Sequence, residues 1–169
     1  LLSEEKVKEF LMAIPSEHKY AEINLNTFNK IDTNYFNCQP NSTYELDLIK
    51  THDSIRKAYS KNLKRNLKKA DEAGLTIINN IKPDDVIDLF KRNRGKTISS
   101  FREKDYFNLR RLIYALIYKR KAQVVGIYSK RNELCAGAVF VTSNNKTIFL
   151  FSALSDEGRS IGAMPFLID

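Results

Sequence analysis

The chain has 169 residues with 43% hydrophobic side chains, ten Phe and eight Tyr, which excludes a disordered protein. Its six Gly and four Pro exclude a collagen-like or low-complexity one. The formal net charge is +8 and is unevenly placed: residues 54–74 hold seven basic and two acidic side chains, and residues 91–121 hold eleven and two. Such clusters attract the phosphates of a nucleic acid, a cofactor or a lipid head group. The alternative is that these lysine-rich helix faces only keep the protein soluble.

The sequence predicts a cytoplasmic protein. Its apolar stretches, such as residues 112–118, are far shorter than the ~20 residues that a membrane span needs. It opens without a secretory leader, and Cys38 and Cys135 form neither a disulfide framework nor a Cys-x-x-Cys pair. The chain lacks an initiator Met and stops at Asp169 inside an apolar run, so we expect a piece of a longer protein.

The first quarter of the chain predicts a small separate unit. Residues 3–14 have apolar positions at helical spacing, with Ser3 as a cap and Pro15 after the end. Residues 20–25 alternate apolar and polar side chains and predict a strand. The asparagine-rich segment 26–43 predicts a loop and the boundary between two structural units.

The next segment predicts a strand over residues 44–49. One long helix over residues 54–73 follows, and Gly74 ends it. One face of that helix is apolar. Asn62 and Asn66 fall among its apolar residues, either as core amides or as ligand contacts. The opposite face carries the candidate phosphate or RNA contacts Lys57, Lys61, Lys64, Arg65 and Lys68.

The remainder of the chain predicts an α+β domain with helices packed on a mostly antiparallel sheet. Three of its strands are continuous apolar runs, which are typical of strands covered on both faces, and turn residues separate them. In chain order the predicted elements are a strand 75–78, helices 83–95 and 104–121, strands 123–128, 134–141 and 147–152, and a helix from Ser155 onward.

Strong catalytic signatures are absent from the sequence. There is no Gly-x-Gly-x-x-Gly, Walker loop, Gly-x-Ser-x-Gly or His-Glu-x-x-His. His18 and His52 have no metal-ligand neighbours, so we expect no metal. Cys135 lies in an apolar strand, where we expect an unreactive thiol.

The remaining candidate site is the segment 159–163, an Arg followed by small residues at the point where a strand becomes a helix. Amides and a positive dipole end at such a start can hold a pyrophosphate.

This order of elements, with an Arg-x-x-Gly helix start, resembles the GNAT N-acyltransferase fold. The chain is most similar to the branch that contains Fem-type aminoacyltransferases and acetyltransferase-like bacterial relatives. Three stretches carry the resemblance: the basic helix 59–70 with Gly74 and Leu75, the strand segment 136–140, and residues 152–169.

The resemblance implies a GNAT-like α+β fold whose C-terminal strands are missing. Residues 1–43 would be the tail of a preceding GNAT-like half or a connecting unit, and residues 44–169 an incomplete acyltransferase core. Acetyl-CoA or another acyl-CoA would be the co-substrate and an amine on a small molecule or peptide the acceptor, with no base that can be named. The implied donor contacts are Phe151, Ser152, Ala153, Arg159, Ser160, Gly162 and Ala163.

Three alternatives stay open. Met164 stands where donor-binding relatives have a small residue, and Asp156 and Glu157 would repel a pyrophosphate. Both features favour a Fem-like enzyme that takes its acyl group from aminoacyl-tRNA in cell-wall peptide synthesis. The basic segments also fit a non-enzymatic nucleic-acid-binding domain. A GNAT-shaped remnant without activity is the third alternative.

Overall fold

The computed structural model describes residues 2–31 and 34–169. The chain divides into two compact units, Leu1–His52 and Asp53–Asp169. This division lies later in the chain than the loop 26–43 in which the sequence placed it. Within the described residues no helix is long and apolar enough to cross a membrane.

Among its described residues the first unit contains the predicted N-terminal helix, α1 (Glu4–Met12). Ser3 caps it, since its hydroxyl accepts a hydrogen bond from the Lys6 amide at 3.3 Å, and Val7 is buried. The predicted strands 20–25 and 44–49 are both wrong, because these residues are in no strand and are exposed. Alternation creates a strand only where a neighbouring strand supplies hydrogen-bond partners.

The predicted long helix 54–73 is also wrong, because it is two helices, α2 (His52–Lys57) and α3 (Lys61–Ala73). Ser60 lies between them in an extended conformation, and its hydroxyl accepts a hydrogen bond from the Leu63 amide at 3.2 Å. A serine in this position starts a new helix instead of continuing the old one. Gly74 ends α3 with φ of 65°, as predicted.

The second unit is an α+β domain built on an open four-stranded antiparallel sheet, which confirms the predicted class. The strands follow in spatial order β1-β2-β3-β4. Asn144 and Asn145, both with positive φ, form the tight turn that joins β3 to β4. The strands are β1 (Thr76–Asn79), β2 (Ala122–Tyr128), β3 (Leu134–Ser143) and β4 (Lys146–Leu154).

Helices cover the two faces of this sheet. α4 (Pro83–Arg92), a 3-10 turn (Arg94–Thr97) and α5 (Glu103–Tyr118) follow β1, and α6 (Asp156–Ser160) and α7 (Ala163–Ile168) follow β4. One core cluster joins α4 and α5 to Val124, Val139 and Ala153 of the sheet. A second cluster joins α7 to the opposite face, and α3 packs against α7. The described residues therefore contain seven α-helices.

The prediction that the apolar strands are covered on both faces holds only for the centre of the sheet. Residues 124–127 of β2 and 135–139 of β3 are buried, whereas all of β1 and residues 146–150 of β4 are exposed. β1 and β4 are the edge strands, each hydrogen-bonded on one side only within this sheet. The open edge of β4 leads directly into the segment to which the sequence assigned donor binding.

Candidate functional site

The chain leaves the sheet at Leu154 and enters α6 at Asp156. Ser155 is the N-cap of α6, and its hydroxyl accepts a hydrogen bond from the Gly158 amide at 2.9 Å. The passage from strand to helix is therefore where the sequence predicted it. However, one amide of the first turn of α6 already bonds to a side chain of the protein itself.

The prediction that Arg159 stands at a helix start is wrong. Arg159 lies near the end of α6, and its amide donates to the carbonyl of Ser155 at 2.9 Å. The helix begins earlier because Ser155 is a good cap and the acidic pair Asp156 and Glu157 suits the positive end of the dipole. Arg159 is exposed, and the hydroxyl of Ser160 donates to the carbonyl of Glu157 at 2.7 Å.

Gly162 separates α6 from α7. It has φ of 77°, in the left-handed region, and forms the N-cap of α7. Gly162 and Ala163 are buried, and the carbonyl of Gly162 accepts a hydrogen bond from the Phe166 amide at 3.1 Å. The Arg-x-x-Gly segment thus spans the break between two short helices, with its arginine exposed and its glycine packed inside.

The other predicted donor contacts, residues 151–153, lie at the end of β4. Their register partners on β3 run from Val139 to Gly137. Beside them the pairing shifts: Phe149 faces Phe140 and Phe151 faces Val139, so Leu150 is an extra residue in β4. This is a β-bulge, a feature that bends a strand and is common at sheet edges and next to active sites.

Aromatic side chains line the sheet next to this bulge. The ring of Phe151 lies 4.9 Å from that of Phe90 on α4, measured between centroids. Phe101 lies 6.0 Å from Phe90 and 5.5 Å from Tyr106, so the cluster extends to α5. Phe101 is 42% exposed. The sequence did not single out this cluster, because its members come from four separate segments of the chain.

The charges around α6 partly cancel one another. Glu157 forms an ion pair with Arg131, whose Nη2 lies 3.0 Å from the carboxylate, and Glu133 lies near the same arginine at 3.7 Å. The hydrogen bond to Glu157 raises the pKa of Arg131, whose guanidinium is charged at neutral pH in any case. The repulsion that the sequence predicts between Glu157 and a bound anion is therefore reduced.

The predicted phosphate contacts of α2 and α3 are all exposed. Lys64 donates from its ammonium group to the carbonyl of Lys57 at 3.1 Å, which ties the start of α3 to the end of α2. Arg65 donates to the amide oxygen of Asn62 at 2.7 Å, and Lys68 lies 3.8 Å from Glu72. Because Asn62 is exposed, the interpretation of that residue as a core amide is wrong.

Sequence reasoning missed Arg56 and Tyr59, which line a shallow cavity of about 260 Å³ with Lys64, Leu67, Lys68 and Asp71. The guanidinium of Arg56 lies 3.3 Å from the carboxylate of Asp169. Burial, followed by a hydrogen bond to Asp169, raises the pKa of Tyr59. A signal existed in Ser60, because a serine favours the N-cap position and therefore a break between two helices at this point.

In residues 2–31 and 34–169 no group of three or more His, Cys, Asp or Glu side chains is placed to hold a metal ion. Cys135 is buried, and this burial raises the pKa of its thiol.

Comparison of the sequence with protein-family models and with curated proteins finds no match to either.

Proposed function

We propose that this chain is part of a GNAT-like N-acyltransferase that moves an acyl group from acyl-CoA to an amine. The observation that carries the proposal is the junction of an open, bulged edge strand with a broken helix that exposes Arg159. An edge strand has unpaired backbone N–H and C=O groups along one side, and an extended ligand with amide groups can pair with them.

Each part of this junction has a role in the proposed reaction. The free edge of β4 at residues 151–153 holds the extended arm of the donor, and the Arg159 guanidinium neutralises its phosphates. The cluster of Phe90, Phe101 and Phe151 excludes water from the acyl group. Together they hold the acyl carbon near the incoming amine, which is the main contribution that such a site makes to the rate.

The donor supplies a thioester carbonyl that is already reactive toward amines. The amine nitrogen attacks the carbonyl carbon, the C–N bond forms and the C–S bond breaks. The amine proton passes to water and the thiolate leaves, to be protonated as free CoA. An edge-strand N–H near the bulge stabilises the developing oxyanion.

Donor binding is the first test. With acetyl-CoA in 100-fold excess over its dissociation constant, the free energy of unfolding rises by about 2.7 kcal/mol, which is a rise of several degrees in Tm. Arg159→Ala should abolish most of this rise, whereas Arg111→Ala, which removes an exposed arginine of α5, should not. A Tm unmoved by millimolar acetyl-CoA would count against acyl-CoA as donor.

Turnover is the second test, measured as release of free thiol with small amines and lysine-containing peptides. Thiol release that requires the amine supports the acyl-CoA enzyme. If acetyl-CoA neither binds nor reacts, the same junction is tested with aminoacyl-tRNA, the donor of the Fem-like alternative, by transfer of a labelled amino acid. Failure of both donors would overturn the acyltransferase proposal and leave a fold without activity.

A further inference from the structure

A second candidate binding site lies away from the β4–α6–α7 junction, in the cavity between α2 and α3. Six side chains line it, namely Arg56, Tyr59, Lys64, Leu67, Lys68 and Asp71. Its volume of about 260 Å³ is below the roughly 300–1,000 Å³ of sites that enclose a drug-sized ligand. A cavity of this size suits one unit of a longer polymer that continues along the surface.

Three basic side chains and one acidic side chain line this cavity. Arg56 is partly neutralised by the carboxylate of Asp169, which lies 3.3 Å from it on a largely buried side chain. Lys64 and Lys68 are exposed, and the ammonium group of Lys68 lies 3.8 Å from the carboxylate of Glu72, which is a long contact. These two ammonium groups are the cations best able to bind a phosphate, because the contact of Lys68 is long and Lys64 donates to a neutral carbonyl.

The remaining lining has the character of a stacking surface. Tyr59 and Leu67 supply an aromatic ring and an apolar floor, and Asp71 supplies an acceptor. An aromatic ring beside cations is the combination with which proteins hold single-stranded nucleic acids: bases stack on the ring while the backbone follows the charges. A carboxylate in such a site accepts a hydrogen bond from a ribose 2′-hydroxyl, which RNA has and DNA lacks.

We propose that this cavity binds one nucleotide of single-stranded RNA. The base stacks on Tyr59, the flanking phosphates contact Lys64 and Lys68, and Asp71 accepts a hydrogen bond from the ribose. Arg56 pairs with Asp169, which also forms a hydrogen bond with Tyr59. This site goes beyond the proposed acyl transfer, does not depend on it, and differs from a simple charged face because it has a base-sized cavity.

The surface next to the cavity continues the path for the RNA backbone. Lys61 and Arg65 lie on the same face of α3 as Lys64 and Lys68. From Lys61 to Lys68 the helix rises about 10 Å, which is long enough for more than one phosphate of an extended strand. The cavity therefore opens onto a row of cations that a polymer can occupy and a free nucleotide cannot.

Binding is measured with the full chain and a fluorescein-labelled oligouridylate of about 12 nucleotides, within the site sizes of single-strand binders. Lys64→Glu with Lys68→Glu should weaken binding at least tenfold and reduce the slope of log K against log salt by about 0.7 for each phosphate that is no longer neutralised. The matched control is Lys104→Glu with Arg111→Glu on α5, which makes the same change of charge. An equal decrease of affinity in both pairs would overturn the site, because it would show an effect of net charge alone.

Substitutions of Tyr59 distinguish the contribution of base stacking from that of charge. Tyr59→Leu should weaken binding by about fivefold or more, because the base can no longer stack on an aromatic ring, while Tyr59→Phe should retain it. The circular dichroism spectrum and Tm of each variant show whether α2 and α3 are intact. Equal affinity of the Leu and Phe variants would overturn the stacking proposal.

Two further binding measurements identify the class of ligand. The oligodeoxyuridylate of equal length should bind more weakly than the RNA, and Asp71→Asn should reduce that difference. Uridine monophosphate at millimolar concentration should displace little of the oligonucleotide. Complete displacement by the monophosphate, or equal binding of RNA and DNA, would contradict a site for RNA.

Discussion

Gly162 lies directly against the backbone carbonyl of Asn66: a Cβ placed on the glycine would be 2.5 Å from the Asn66 oxygen. Gly162 stands between α6 and α7, and Asn66 lies within α3. The close packing of α3 against α7 therefore requires a residue without a side chain at the break in the Arg-x-x-Gly segment.

Gly162→Ala should destabilise the second unit for two reasons. The residue has φ of 77°, and left-handed backbone costs a non-glycine residue about 1–2 kcal/mol. The added methyl group also pushes α7 from α3, so the total decrease in stability should exceed this range. The measurement is the free energy of urea unfolding.

Gly74→Ala is the matched control for Gly162→Ala. Gly74 also has positive φ, at 65°, but a Cβ there meets the flexible end of the Lys130 side chain. Lys130 can move away, so this variant should be destabilised only by the left-handed backbone. Equal destabilisation at the two glycines would contradict the role of the close approach to Asn66.

Asp84 on α4 joins two residues of α5. The hydroxyl of Tyr114 donates a hydrogen bond to its carboxylate at 2.6 Å, and Arg110 forms an ion pair with it. The hydrogen bond from Tyr114, with a smaller contribution from Arg110, lowers the pKa of Asp84, although partial burial opposes this. The same hydrogen bond raises the pKa of Tyr114.

Stability should depend on pH through Asp84. Because the pKa of its carboxyl in the folded protein lies below the unfolded value of about 3.9, its contribution is full at neutral pH and is lost as pH falls through the folded pKa. Asp84→Asn should therefore cost about 1 kcal/mol at pH 7, the upper range for exposed charge pairs. In more acidic solution the stability of the variant and of the natural protein should converge.

Urea midpoints measured from neutral pH down to about one unit below the unfolded pKa of aspartate check this expectation. Asp88→Asn, on an exposed position of the same helix, is the control and should show no such convergence. A deficit of Asp84→Asn that stays constant over the whole range would show that the carboxylate charge is not what stabilises this contact.

The centre of the sheet could be predicted from the sequence because local pattern and burial agree there. Residues 124–127 and 135–139 are continuous apolar runs and are the buried middle strands, and Asn144 and Asn145 make the turn that their residue type favours. Residues 44–49 also alternate, but no strand among the described residues pairs with them. The residue pattern within one segment does not show whether another strand will pair with it.

The candidate site could be predicted only in part, for the same reason. The sequence predicted one helix from Ser155 onward, whereas Gly162, with its positive φ, divides it and begins the separate helix α7. Arg159 does not begin a helix because Ser155 caps an earlier one, and the cavity at Tyr59 exists because Ser60 divides the basic helix. In both places two helix starts are possible and differ little in intrinsic helix propensity. The hydrogen bond of the capping serine hydroxyl selects one of them.

Ser155 and Ser60 should make similar contributions to stability. Each caps a helix through its hydroxyl, which accepts from the Gly158 amide at 2.9 Å or from the Leu63 amide at 3.2 Å. Replacing either serine by alanine should lower the free energy of unfolding by about 1 kcal/mol. Ser100→Ala, in an exposed turn, is the control and should change it little. A neutral Ser155→Ala would show that the α6 cap is not formed in solution.

The two cysteines should react at very different rates with a thiol reagent such as Ellman's reagent. Cys38 is exposed, whereas Cys135 is buried, and burial raises the pKa of its thiol. Because the thiolate is the reactive form, Cys135 should react only when the protein opens. One thiol should titrate quickly in the folded protein and the second only in denaturant. Cys38→Ser should remove the fast phase, and a fast phase that persists would contradict the burial of Cys135.

Arg131 should influence donor binding at the proposed acyltransferase site without contacting the donor. It neutralises Glu157, with Nη2 lying 3.0 Å from the carboxylate, in the same short helix as Arg159. Arg131→Ala should weaken acyl-CoA binding by up to about fivefold, the range of an exposed charge pair, with little effect on kcat. Calorimetric titration measures the dissociation constant.

Two controls test the electrostatic cause. Adding Glu157→Gln to Arg131→Ala should restore the affinity for the donor. High salt should remove the difference in affinity between Arg131→Ala and the natural protein. An Arg131→Ala variant with unchanged affinity at low salt would show that Glu157 does not face the bound donor.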